Sequence, residues 1–312
     1  MRCAVLACVF LAAALLGTCA ALSPEQNREA VSRMRVAIVE RYSHRDRVVK
    51  DWEARFAVAG PQLTRAKTAD EFAQRAAEDP HLNLMVDGKT IPTFHRQVER
   101  NGDPKRLPKL LASLKQESNS VVTGRTGEGF GYILIAQWPA PDSPLMTPAH
   151  GAINAFIAEK VPAVILDVRV NSGGNDLSAL QVAERFARES AEFCRTSWRG
   201  RALKPGPEAK RFGGKVAVLC GPACMSSNET FLLMMRAAGA KLIGARTYGS
   251  SGNPKPHDLN NGVTLMVPSW EATDAKGQPI EGCGIEPHIR AEPGAPPGDG
   301  VITAAVTALR AP

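Results

Sequence analysis

From Gly131 onward the chain alternates short apolar runs with amphipathic ones, and this rhythm constrains the fold more than any other feature. Tyr132-Ile133-Leu134-Ile135 reads as a short strand, and Thr147-Pro148 opens a helix with Ile153, Phe156 and Ile157 on one face. Ala163 to Val168 is apolar at almost every position, which predicts a strand buried on both sides, as in a parallel sheet. A helix from Asp176 to about Ser190, a strand over Lys215–Leu219, a helix over Ser226–Ala238 and a short strand at Leu242-Ile243 follow. Val263–Val267 adds a strand, with a turn at Asp274–Gly277. Strands alternating with helices imply an α/β fold with a mostly parallel sheet and flanking helices.

The segment before that rhythm is different. Residues 22 to about 80 read as helical, with Ser23 as N-cap, Pro24 at the first helical position, and Val31, Met34, Val36, Ile38 and Val39 on an apolar face. Thr68 followed by Glu71 fits a capping box for a helix through Ala77, and Asp79-Pro80 ends it. Residues 82–94 predict a hairpin turning at Asp87-Gly88, while 105–127 shows no clear period. Five prolines between Pro287 and Pro312 predict a wandering tail with a short helix near Thr303–Leu309. The expected division is a leader at 1–21, a small helical and hairpin region at 22–127, a sheet core at 128–290 and a proline-rich tail at 291–312.

The leader has a short positive start at Met1-Arg2, an apolar run of about thirteen residues from Ala4 to Leu16, and small residues before Ala20 and Ala21. This is the pattern of a secretory signal peptide, which implies export to a periplasmic or extracellular space. A lipoprotein anchor at Cys19 is the weaker alternative, because the bulkier Thr18 precedes it. No later run reaches the roughly 18 apolar residues of a membrane span. Of seven cysteines, Cys194, Cys220, Cys224 and Cys283 remain after the leader, and four cysteines allow three pairings that spacing does not separate. The Cys220–Cys224 pair has no second Cys/His pair at zinc-ligand spacing, so no metal is expected. The net charge of +7 is spread among acidic residues, without an arginine-rich tract, so nucleic acid is not an expected partner.

Two loops follow the carboxyl ends of predicted strands, where open α/β sheets place ligands. One is Asn171-Ser172-Gly173-Gly174, whose paired glycines let backbone approach a ligand closely. The other is Cys224-Met225-Ser226-Ser227-Asn228-Glu229, where a serine opens a helix. Such a serine is either a plain N-cap or a nucleophile at the positive end of the helix dipole. Spacing alone does not choose between them.

Four pieces in order do choose: Glu78-Asp79-Pro80-His81-Leu82, Leu166-Asp167-Val168-Arg169-Val170-Asn171-Ser172-Gly173-Gly174, Met225-Ser226-Ser227-Asn228-Glu229, and Glu281-Gly282-Cys283-Gly284-Ile285-Glu286-Pro287. On these the chain resembles the C-terminal processing peptidases, or tail-specific proteases, from about Ala69 to Ile289. Its nearest likeness is to the branch of tricorn-type core proteases and the repeats of interphotoreceptor retinoid-binding protein. The resemblance implies a ClpP/crotonase-like core and hydrolysis of peptide bonds in a protein or peptide substrate, without metal or organic cofactor. Ser226 falls on the nucleophile position, the amides of Ser227 and of Gly173 or Gly174 on the oxyanion hole, and Glu229 on a glutamate that supports the loop.

The best-known members use a lysine shortly after a Thr-Phe-Gly element, but here Thr247-Tyr248-Gly249 is followed by Ser250, and Lys255 comes too late. The tricorn-type branch instead implies His81 as base and Glu281 as the carboxylate that orients it, a chemically coherent set. Pro80 stands where that branch commonly has a serine. His44, which does follow a serine, is a rival, as are His95 and His257; His288 carries no role. Cys224 is an inferior nucleophile because an exported thiol is easily oxidised. The remaining alternative is a binding module that keeps the fold without catalysis, and the joint retention of Ser226, His81, Glu281 and the glycine pair favours the enzyme. No glycine-rich carboxylate loop of a PDZ domain can be placed in 82–127.

Overall fold

The computed structural model describes residues 21–46, 49–76, 82–91, 98–197 and 199–311. Residues 1–20 of the leader, Pro80, His81 and His95 lie outside these described residues.

Three helices come first: α1 (Pro24–Arg41), α2 (Trp52–Thr64) and α3 (Ala69–Ala76). Ser23 caps α1 in a full capping box, its hydroxyl accepting from Gln26 N at 3.2 Å while Ser23 N donates to Gln26 Oε1 at 2.8 Å. The strands β1 (Asn83–Val86) and β2 (Lys89–Ile91) form the expected hairpin. Asp87 (φ 48°) and Gly88 (φ 74°) both take the left-handed conformation that a tight two-residue turn requires.

The hairpin is completed from the far end of the chain. Strand β1 also pairs antiparallel with β12 (Val263–Val267), and β12 with β11 (Lys255–Asp258), giving the order β11-β12-β1-β2. Ile38, Leu63, Phe72, Leu84 and Leu265 form its core against the three helices. The first structural unit is therefore assembled from both ends of the sequence.

A seven-stranded sheet makes the main body. Its order is β14 (Ile289–Arg290), β10 (Lys241–Gly244), β9 (Lys215–Cys220), β6 (Ala163–Asp167), β5 (Gly131–Ile135), β4 (Val121–Arg125) and β3 (Ser113–Gln116). The first five are mutually parallel; β4 and β3 add antiparallel pairings. The sheet thus reaches back before residue 128, into the stretch where sequence gave no clear period. Strand β6 shows why its run had to be apolar throughout. Val164 and Leu166 enter one core with Ile153 of α5 (Thr147–Ala158), Val182 of α6 (Asp176–Ala183) and Phe231 of α7 (Ser227–Ala237). Ala163 and Ile165 enter the opposite core with Leu107 of α4 (Leu107–Leu110) and Val301, Ile302 and Ala305 of α8 (Gly300–Arg310).

The short helix expected near Thr303–Leu309 is present and somewhat longer: α8 begins at Gly300, capped by Asp299, whose Oδ1 accepts from Val301 N (3.0 Å) and Ile302 N (3.2 Å), and it covers one face of the sheet. One expectation is corrected. Helix α6 ends at Ala183 instead of near Ser190, because the carbonyls of Glu184 and Arg185 accept from Gly206 N (2.9 Å) and Phe212 N (2.8 Å) instead of from a further helical turn. A three-stranded sheet, β13 (Ala272–Asp274), β7 (Ala191–Thr196) and β8 (Arg199–Leu203), sits beside the main one and has no counterpart in the sequence reading. Cys194, Cys220, Cys224 and Cys283 are all free thiols. Among the described residues no helix is long and apolar enough to cross a membrane, and no group of His, Cys, Asp and Glu could hold a metal ion.

Candidate active site

Strands β6 and β9 are neighbours in register, with Asp167 opposite Leu219, so the glycine loop and the Ser226 loop leave the same edge of the sheet side by side. Buried amides lock that arrangement. Asn228 donates through Nδ2 to the carbonyls of Val168 (3.0 Å) and Asn171 (2.9 Å), and its Oδ1 accepts from Trp138 Nε1 at 3.1 Å. Asn171 donates to Ile135 O at 3.2 Å and accepts from Gly173 N at 2.8 Å. Trp138 closes the loop through Trp138 N to Gly173 O (3.0 Å) and Asn175 N to Trp138 O (2.8 Å).

Both glycines are sterically required. Gly173 has φ 113°, and a Cβ there would lie 2.9 Å from the Ser226 Cβ; Gly174 has φ 130°, and a Cβ there would collide with the Trp138 carbonyl. The Gly173 amide is spent on Asn171 Oδ1. The Ser227 hydroxyl donates to Gly174 O at 2.6 Å, joining this loop to the first turn of α7.

Ser226 is the N-cap of α7 with φ 57° and ψ −129°. That is outside the small left-handed well, and for a residue with a Cβ it stores roughly 1–3 kcal/mol of strain. The surroundings over-determine it: Ser226 N donates to Ser250 O at 2.8 Å and faces Glu229 Oε2 at 3.2 Å, while Gly173 packs on its other side. The serine lines a cavity of about 190 Å³ together with Gly174, Ser227, Ser251 and Gly252.

Two buried carboxylates hold the segment opposite Ser226. Glu229 accepts from Thr247 Oγ1, from Gly249 N at 2.8 Å and from Ser250 N at 2.9 Å. Burial pushes its carboxyl up to about 7, against the pull of those donors. Glu281, 2% exposed, accepts from Ser251 N at 2.7 Å. His44, fully buried, also lies beside it: its Nε2 is 3.4 Å from Glu281 Oε2 and 3.2 Å from Ser251 O. Among the described residues the histidine brought to Glu281 is therefore His44. Sequence had it only as a rival, and the Ser43-His44 pair was the available signal. The rival His257 lies on β11, and the Nδ1 of His288 accepts from Leu242 N at 2.9 Å, a structural bond. Cys224 is fully buried, burial holds its thiol well above the usual range, and its Sγ contacts Val168 O, so it is no nucleophile.

Residues 129–291 match Peptidase family S41, and the chain belongs to that family of serine-type peptidases. No curated protein matches it. Among solved structures, a candidate peptidase from Parabacteroides merdae ATCC 43184 superposes with a TM-score of 0.74 at 22% identity, over 93% of this chain and 98% of that one. A lipoprotein from Streptococcus agalactiae superposes with a TM-score of 0.59 at 14% identity, over 93% and 96% of the two chains. Both likenesses are of fold.

Proposed function

We propose that this protein is an exported serine peptidase that hydrolyses peptide bonds through Ser226. The observation that carries the reading is the strained backbone of Ser226 at the start of α7, wedged against Gly173 beside a cavity. A plain N-cap has no need of that conformation. In the reaction, Ser226 Oγ attacks the substrate carbonyl carbon while a histidine takes its proton. The carbonyl oxygen, now negative, is held by the amides of Gly174 and Ser227, each such donor typically worth about 10²–10³ in rate. The same histidine then protonates the leaving amine, and water releases the acyl group by the reverse sequence.

His81, by resemblance, is the base, and Glu281 orients it. His44 is assigned a positioning role on its geometry. A backbone carbonyl only accepts, so the bond to Ser251 O puts the proton on Nε2, and the Nδ1 edge faces Glu271 Oε1 at 3.9 Å. An imidazole engaged in this way braces Glu281 and the 249–252 segment.

A fluorophosphonate probe tests this. The mature protein should be labelled, Ser226→Ala should not be, and His81→Ala should slow labelling by roughly 10²–10⁴. His44→Ala should slow it less, and His44→Gln, which can still donate to Ser251, should restore part of the rate. Labelling that survives Ser226→Ala overturns the nucleophile, and His44→Ala matching His81→Ala in severity overturns the division of roles. Export is checked by sequencing the N-terminus of the secreted product, expected to begin near Leu22.

A further inference from the structure

The cavity beside Ser226 is also lined by an ion pair. Arg201, on β8, donates through Nη2 to Asp176 Oδ2 at 2.6 Å, with the side chains 17% and 29% exposed. Its guanidinium carbon is 5.4 Å from the ring centre of Phe193 and 6.0 Å from that of Trp270, so the fork is held on aromatic faces. Asp176 stands in the first turn of α6, where the helix dipole favours its charge. Thr196, Thr230 and Asn253 add polar groups to a lining that Pro254, Trp270 and Ala272 share. At about 190 Å³ the space is below the roughly 300 Å³ at which small-molecule pockets begin, a size for one side chain.

The geometry points to this cavity as the pocket for the substrate residue whose carbonyl is attacked, with the Arg201–Asp176 pair selecting an uncharged amide side chain, glutamine or asparagine. The inference rests on the Ser226 reading, since Gly174 and Ser227, the proposed oxyanion donors, form part of the same wall. A primary amide is the group that serves both ions at once: its oxygen accepts from the guanidinium, and its NH₂ donates to the carboxylate. A carboxylate side chain meets Asp176, and an ammonium meets Arg201, as like charges. An aliphatic chain strips water from the pair and returns no hydrogen bond, the kind of mismatch by which polar sites reject analogues.

Cleavage-site profiling on a peptide library, read at the residue before the broken bond, tests the assignment. The wild type should favour Gln and Asn at least about tenfold over Leu, Glu and Lys. Asp176→Asn, which leaves Arg201 unopposed, should move the preference to Glu, and Arg201→Met should move it to Lys. A wild-type preference for aliphatic residues, or a profile unchanged in both variants, overturns the proposal. If nothing is cleaved, the serine-peptidase reading fails separately. Fluorescence anisotropy of Gln-, Glu-, Lys- and Leu-containing peptides on Ser226→Ala and its double variants then decides the pocket: the same order of preference in binding supports it, and equal binding of all four overturns it.

Discussion

Asp167 and Glu229 are both buried carboxylates at the carboxyl edge of the main sheet, yet their surroundings differ in kind. Asp167 meets a cation: Arg169 donates to it through Nε (3.0 Å) and Nη2 (2.7 Å), and Tyr132 OH adds a bond at 2.7 Å. Burial pushes its carboxyl up, but the Arg169 charge and these bonds outweigh burial and leave it below the usual range. Arg169 then reaches Asp299 (2.9 Å) at the start of α8 and the Asn101 carbonyl (2.7 Å). Glu229 has no cation beside it among the described residues. Its partners are Thr247, Ser226 and two further backbone amides, burial dominates, and the nearby Glu281 raises it further. The first group is a rivet between the sheet and its last helix. The second keeps an active-site loop in place with a carboxylate whose charge the fold resists.

The largest effect should come from breaking the rivet. Arg169→Met leaves Asp167 and Asp299 facing each other in a dry interior, and removing one partner of a buried ion network costs about 3–5 kcal/mol. Denaturant unfolding should read that loss, and the helix α8 amides should lose hydrogen-exchange protection first. A change below about 1 kcal/mol would mean that the packing of Val301, Ile302 and Ala305 holds α8 without the network.

How much of this contrast was legible in sequence follows from what each feature depends on. Alternating strands and helices are local, so β5, β6, β9, α5 and α7 were readable from their own residues. Ser226 and the glycine pair were readable because their order along the chain matches a family. Glu281 was singled out in the same way. The partners of those residues were not readable, because contact is set by tertiary pairing. His44 reaches Glu281 only because β12, late in the chain, pairs with β1, β11 pairs with β12, and together they carry the 249–252 segment onto the turn after α1. Strand β3 reads Ser113-Leu114-Lys115-Gln116 and is exposed throughout, an edge strand without a buried face to give it a period. Strands β7 and β8 do bury Phe193, Cys194 and Leu203, but a bulge at Glu192/Cys194 and the interleaved Arg195, Arg199 and Arg201 break the period, and with it the Arg201 wall of the cavity went unseen.

The two carboxylates also predict opposite responses to pH. Glu229 is raised in the fold from 4.5 to about 7, so its contribution to stability is fully present below 4.5 and is lost as pH rises through 7. Asp167 is lowered, so its contribution is present above 3.8 and is lost as pH falls below that value. The difference in melting temperature between wild type and Glu229→Gln should therefore change steadily between pH 4.5 and 7 and level off above. Labelling of Ser226 should run the other way and rise through pH 7, because only the ionised carboxylate accepts from all four of its donors. A melting-temperature difference independent of pH across that range would show that the hydrogen bonds, and not burial, set the state of Glu229.

The smallest effect isolates one of those donors. Thr247 Oγ1 donates to Glu229 Oε1 and accepts from Ile285 N at 2.7 Å, which links the loop carboxylate to the segment after Glu281. Thr247→Val keeps the shape and removes both bonds. Ile285 N would be left buried without its acceptor, and the cost should be about 1–2 kcal/mol, between one net hydrogen bond and one unsatisfied group. Losing a donor to the carboxylate also favours its protonated form, so the midpoint of Ser226 labelling should move upward in pH. Thr247→Ser, which retains the hydroxyl, should leave the midpoint in place. A labelling midpoint that stays fixed in Thr247→Val while stability falls would assign Thr247 to the Ile285 contact alone and leave Glu229 governed by the loop amides.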